Sequence, residues 1–377
     1  MKGKTFLILL AAAGVLGILL LIRFGDRTDS GEAKMGERLF ADFPVNEVAT
    51  VTLADSENRV TLVKGETVWQ VQERDGYPAD FDELSDLVVK IARLKIGRSF
   101  PGTPESLARL NLLPLSESAA AATGMQITLT DQAGTTLADL LVGQIRETDA
   151  GATAGQYLKR SDADTVYLVD GNFRFLRTAP AQWLKREILN IQADEVATVA
   201  VYAADSTEPL VTLSRPGRGE AARMTPVPEG RLADPSKIQQ VLDALAPLAV
   251  DDVHAAEATG SVEQTASARL EYHLYDGRRI SIFPEHDGQD RYTLRVAADE
   301  TVLASSGSDA PRPASPDAEP PHEPGVTPDA AAGAVKTAQQ INDELGPWVF
   351  SVKKWLHDSF VTDPEKLLQE PEEEPAS

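Results

Sequence analysis

The chain has no cysteine among its 377 residues. This excludes disulfides, thiolate metal sites, a cysteine nucleophile and an N-terminal lipoprotein anchor, and it fits any redox compartment. Histidine is almost as scarce. The only ones are His254, His273, His286, His322 and His357, with no HExxH and no pair at helical metal-ligand spacing. Cationic side chains are in deficit, 36 Lys and Arg against 58 Asp and Glu, for a formal net charge of −22. With no basic stripe interleaved with aromatics, such a surface repels phosphate backbones and excludes nucleic acid as a partner. No P-loop, G-x-G-x-x-G or G-x-S-x-G is present, so NTPase, dinucleotide and α/β-hydrolase readings lack their phosphate cradle or nucleophile elbow. Neither a cofactor nor a metal is expected.

Two fragments resemble catalytic patterns and are better explained structurally. Ser351-Val-Lys-Lys354 satisfies S-x-x-K, but the S-D-N and K-T-G elements that accompany that nucleophile are missing. Lys353 and Lys354 are expected to solvate a terminal helix. Asp80 and Asp82 could be drawn as an acid–base pair or a calcium site, yet the position matching Asp80 later in the chain is Asp234, followed by Pro235. Asp then Pro is a helix start, so capping is the reading for both.

The hydrophobic fraction of 42% and charged fraction of 25% are ordinary for a globular protein. Length allows two domains with cores of their own. At the amino end, Lys2 and Lys4 precede an uncharged run from Thr5 to Ile22, closed by Arg23. A helix of about 18 residues rises about 27 Å, close to the hydrocarbon thickness of a bilayer. No small-x-small cleavage site follows the run, so residues 1–24 read as an uncleaved signal-anchor, with a cleaved signal peptide as the alternative. The lysine pair places the amino end in the cytoplasm and the remainder outside a bacterial inner membrane, in the periplasm.

The body of the chain is written twice. "NEVATVTL" at Asn46–Leu53 returns as "DEVATVAV" at Asp194–Val201. In both places a second strand ending in Thr-Leu follows (Thr61-Leu62, Thr212-Leu213), then a third around Trp69 or Met224. "GYPAD" at Gly76–Asp80 then faces "GRLAD" at Gly230–Asp234. Beyond each Asp, Leu84, Leu87, Val88, Ile91 and Leu94 map onto Ile238, Val241, Leu242, Leu245 and Leu248, a single helical stripe suited to a sheet. A strand group follows in each copy, with a hairpin around Asp131–Gly134 in the first. The second has a tighter hairpin around Asp276-Gly277, expected as a type I′ turn. Tyr157 and Tyr292 mark a further strand, and Trp183-Leu184 is matched with Trp355-Leu356 at the close.

The fold expected is therefore α+β: an N-terminal transmembrane helix (1–24) followed by two tandem repeats of antiparallel sheet backed by a helix, at 25–188 and 189–362. The second repeat is interrupted at about 305–334 by a Pro/Ala/Ser-rich acidic stretch, expected to be disordered. Residues 363–377, ending in "QEPEEEPAS", are expected to be an acidic disordered tail.

Trp69-Gln-Val71, Gly76-Tyr-Pro-Ala-Asp80 and the amphipathic helix ending "IARLKI" resemble a bacterial family, domain of unknown function 4340. Its commonly seen Y-G-L element is replaced here by Leu110-Asn111-Leu112 within "LARLNLLPL". The signature positions are Trp69, Tyr77, Pro78, Asp80 and Asp234, and they are structural, with no catalytic residue among them. The resemblance implies a single membrane segment, tandem copies, and association with ABC-type transport systems of the gliding-motility kind, alongside permease and ATPase subunits. The function expected is a non-enzymatic, membrane-anchored periplasmic accessory component of such a complex. The alternative is a periplasmic glycan- or lipid-binding module with a cleft between the two repeats.

Overall fold

The computed structural model describes residues 35–115, 124–147, 153–174, 176–256, 267–300 and 335–370. The expected transmembrane segment, the 305–334 insert and the last residues of the tail lie outside them. Among the described residues no helix is long and apolar enough to cross a membrane. The protein is α+β, with mostly antiparallel sheets and few helices.

The first half of the chain forms β1 (Thr50–Ala54), β2 (Arg59–Lys64), β3 (Trp69–Val71), β4 (Tyr77–Pro78), helix α1 (Phe81–Arg93), β5 (Ile96–Pro101), helix α2 (Pro104–Arg109), β6 (Met125–Thr130), β7 (Thr136–Glu147), β8 (Thr153–Arg160) and β9 (Thr165–Val169). Its nine-stranded sheet runs β4-β3-β2-β1-β6-β7-β8-β9-β5. The second half forms β10 (Glu187–Leu189), β11 (Val196–Tyr202), β12 (Val211–Ser214), β13 (Arg223–Thr225), helix α3 (Pro235–Asp243), β14 (Leu248–Ala249), β15 (Asp252–Ala255), β16 (Arg269–Leu274), β17 (Arg278–His286), β18 (Tyr292–Glu300), helix α4 (Ala338–Leu345), β19 (Trp348–Ser351) and helix α5 (Lys354–His357). Its eight-stranded sheet runs β13-β12-β11-β16-β17-β18-β19-β15. From β3 and β13 onward the two orders are the same when read in chain sequence.

Register agrees as well as order. Val51 of β1 pairs with Leu62 and Leu129, and the matching Val199 of β11 pairs with Leu213 and Tyr272. The alternation of buried and half-buried residues along β1 and β2 puts Val51, Leu53, Val60 and Leu62 on one face, all fully buried. All ten residues of the two matched helical stripes are buried. In α3, Asp234 caps the first turn, its side chain accepting from the backbone N–H groups of Ser236 and Lys237, with Pro235 behind it.

Two details differ from the sequence reading, and another, the strands that carry Tyr157 and Tyr292, is as expected but refined in register. The turn between β16 and β17 is not type I′, which needs positive φ at two central residues. Its loop is Tyr275-Asp276-Gly277, and only Gly277 is left-handed, at φ 93°. Tyr157 and Tyr292 are one register apart, because the buried core residues of their strands are Leu158 and Leu294. The other difference concerns the chain's close. The tail is folded through its first residues: Pro364–Leu367 form a 3-10 turn, capped by Asp363, and Leu367 and Leu368 are buried.

By internal contacts the chain divides into two compact units. The first takes residues up to Gln70 with Phe81–Pro180; the second takes Val71–Asp80 with Ala181 onward. The sequence reading set the division at 188 and kept 71–80 in the first repeat. Contact units and sequence repeats thus divide the chain differently: within the second unit Tyr77 packs edge-on against Trp348 and Phe350, with ring centroids 5.1 and 6.2 Å away.

Candidate functional site

The signature residues are brought to backbone ties. In "GYPAD", Pro78 accepts a hydrogen bond from Lys185 N–H, Asp80 N–H donates to Trp183 O, and Ala79 bridges to Leu184. In "GRLAD", Leu232 accepts from Gln369 N–H, Asp234 N–H donates to Leu367 O, and Ala233 bridges to Leu368. The two motifs thus do the same job. It follows that Trp183-Leu184 corresponds to Leu367-Leu368, correcting the match to Trp355-Leu356. The shared feature is a backbone pattern on a Pro-led 3-10 turn, Pro180–Trp183 and Pro364–Leu367. Side-chain identity concealed it, since Trp183 is 1% exposed while Trp355 is 65% exposed.

Around the first motif the second unit carries a ring of specific contacts. The Tyr77 hydroxyl donates to Lys185 O at 3.1 Å, and burial pushes its pKa well above the ordinary phenol value. Arg74 binds Asp252 through Nε at 2.5 Å and Nη2 at 2.8 Å, a bidentate fork. Burial alone would raise the Asp252 carboxyl, but the bonds from Arg74 and from Val253 N–H leave it below the usual range. Trp69 is half-buried on β3. The five signature positions therefore contribute packing, a cap and backbone ties.

Elsewhere the titratable side chains fall into two groups that the sequence did not connect. On β16 and β17, Arg269 Nε lies 2.8 Å from Glu271, both nearly buried, and Arg279 and His273 approach the same carboxylate at 3.7 and 3.8 Å. At the far end of β17, His286 stacks on Tyr292, and the tilted His357 ring lies against the same tyrosine. No spacing rule joins His286 to His357, because hairpin pairing and the docking of α5 make that meeting. Ser351 ends β19, and Lys354 of its S-x-x-K is 2.5 Å from Asp358, held as a cation by that carboxylate. Among the described residues no three His, Asp or Glu side chains are grouped to hold a metal ion.

The first unit holds an open cleft of about 520 Å³ lined by Met125, Val142, Ile145, Phe173 and Leu176 with Gln144 and Arg174. Its floor is pinned by Gln156, whose amide donates to Gly143 O at 2.8 Å and accepts from Phe173 N–H at 2.6 Å.

Comparison with known families matches residues 69–274 to a domain of unknown function, DUF4340. The match covers more than half of the chain and begins at the signature Trp69, so the chain belongs to that family. No curated protein and no solved structure matches it.

Proposed function

We propose that the protein is a non-enzymatic, membrane-anchored accessory component of an ABC-type transport or envelope complex, its two α+β repeats working in the periplasm of a bacterium. The observation that carries this reading is the use made of the family signature. Tyr77, Pro78, Asp80 and Asp234 serve as packing and ties, so the positions that carry the resemblance build a scaffold in this chain. Two further features support it: the apolar run from Thr5 to Ile22, long enough to anchor a chain in a bilayer, and the association with permease and ATPase subunits that the family resemblance implies. Sheet faces and edges are the surfaces such a scaffold offers to partner subunits.

The test is gentle solubilisation of native membranes, purification through a carboxy-terminal tag and mass spectrometry of what accompanies the protein. Stoichiometric recovery of an ABC permease and ATPase is the expected result; recovery of this chain alone sinks the proposal. The cleft of the first unit favours a second reading, a periplasmic glycan- or lipid-binding module. That reading requires ligand-dependent thermal stabilisation of the purified protein.

A further inference from the structure

All five histidines lie beyond Val250, so the first repeat contains none. Two of the five meet on one tyrosine. His286 and Tyr292 are cross-strand partners on β17 and β18, with rings stacked 4.5 Å apart at 11°. His357, at the end of α5, lies 5.1 Å from the same tyrosine and 6.3 Å from His286. Its side chain is 18% exposed, and its Nε2 is buried without a hydrogen-bond partner.

The charged groups around this stack are already matched. On β17 and β18, Glu285 holds Arg295; in the intervening turn Asp287 lies 3.6 Å from Arg291. On α5, Lys354 sits 5.7 Å from the Tyr292 ring and binds Asp358, which Lys366 of the closing turn also approaches. Asp358 is the nearest carboxylate to His357, at 3.9 Å from Nδ1, and it is shared with Lys354. A proton on His357 therefore adds a cation beside Lys354 and His286 with no carboxylate of its own.

We infer that the His286–Tyr292–His357 cluster is an acid-sensitive latch, helping to hold residues 353–369 on the second unit at neutral pH and loosening that hold as pH falls below about 6.5. Burial holds the His357 imidazole below its ordinary pKa and His286 reinforces this, outweighing Asp358 and the Glu285 backbone carbonyl, which favour the protonated ring. An unfolded segment would take up the proton first, so the stabilisation is complete above the ordinary histidine pKa of about 6.5 and declines as pH drops through it. Downstream of the latch, Phe360 packs on Tyr272, Gln240 donates to Ser359 Oγ, and the Pro364–Leu367 turn ties to "GRLAD". Release would bare Leu232 O and Asp234 N–H. The matching turn at Pro180–Trp183 has no histidine near it in sequence and serves as an internal reference.

Hydrogen–deuterium exchange on the full chain at pH 7.5 and 5.5, corrected for intrinsic rates, tests this. Exchange over 353–369 is expected to rise about tenfold at the lower pH, the ceiling for one histidine kept neutral a unit below its ordinary pKa, with residues 180–185 unchanged. His357→Phe should abolish the rise. Equal protection at both pH values, or the same rise in His357→Phe, overturns the latch. An NMR titration of the wild-type imidazoles covers the case in which that variant does not fold. His357 should take up its proton together with the loss of protection, and uptake with protection intact overturns the latch equally.

Discussion

Leu141 of β7 and Phe283 of β17 occupy the same place in the two repeats, since the neighbouring pairs Ile127–Leu140 and Leu270–Ile282 match. Both side chains are buried, by different means. In the first unit Leu141 joins Leu110, Leu112 and Val166, with Phe100, Leu107 and Tyr157 packed against them. The cover comes from "LARLNLLPL", where Asn111 turns the chain through a left-handed φ of 57°, a conformation Asn tolerates better than most residues. In the second unit the corresponding stretch, residues 256–268, has Val262 as its one large aliphatic residue. There Arg295 lies over the Phe283 ring at 5.7 Å, and the Arg269–Glu271–Arg279 cluster occupies the neighbouring strands. One plan thus places an apolar lid over this sheet position in one copy and a guanidinium, that of Arg295, over it in the other. The sheet dictates which residues must be covered, and the connecting segment decides what covers them.

The sharpest way to break this comparison is to unpair the buried charge. Glu271→Gln leaves Arg269 without its carboxylate at a site where both side chains are at most 10% exposed, and should cost the second unit about 3–5 kcal/mol. Asp139→Asn, which weakens bonds from Gln126 and Thr128 at the adjoining place in the first sheet, should cost about 1 kcal/mol. Urea transitions of the two variants should differ accordingly, and equal losses would mean the cluster is solvated. Next, Leu112→Ala opens the apolar lid and should cost the first unit about 2–5 kcal/mol; a loss below 1 kcal/mol would show that the lid does not seal Leu141.

Gly143→Ala is expected to cost about 1–3 kcal/mol. A methyl there would stand 2.2 Å from Leu110 O, so the lid's backbone requires that glycine. The β17 strand, covered by side chains, contains no glycine. A variant as stable as wild type would show that the lid moves aside readily. The smallest effect concerns pH. Burial lowers the His273 pKa, with Glu271 opposing and Arg279 reinforcing, so its neutral form is favoured by folding. Its stabilisation is complete above about 6.5 and declines as pH falls through that value. The first unit, without histidine, has instead Asp55, held below its ordinary value by Thr178 and the backbone of Asn58 and Glu57 against the effect of burial. That contribution declines only as pH falls below about 3.9. Thermal unfolding at pH 7.5 and 5.5 should therefore lower the second transition and leave the first in place. Equal shifts in both would remove histidine as the cause.

Much of the fold was written in local pattern. Alternation along Val51–Leu62, the helical stripe from Leu84, and Asp234-Pro235 each specify an element through interactions within a few residues, so the repeat and its α+β class followed from the amino-acid order alone. Tertiary structure alone decided which distant segments meet. Leu367-Leu368, and not Trp355-Leu356, answers Trp183-Leu184 because backbone N–H and C=O groups make the tie and carry no sequence label. Residues 71–80 belong with the second unit because Tyr77 and Arg74 find Trp348 and Asp252, partners hundreds of ångströms of extended chain away. His286 and His357 share a tyrosine only once β17, β18 and α5 are in place. Short-range pattern is encoded by residue type and spacing, whereas a long-range meeting is settled by the balance of burial, charge and chain entropy over the whole molecule.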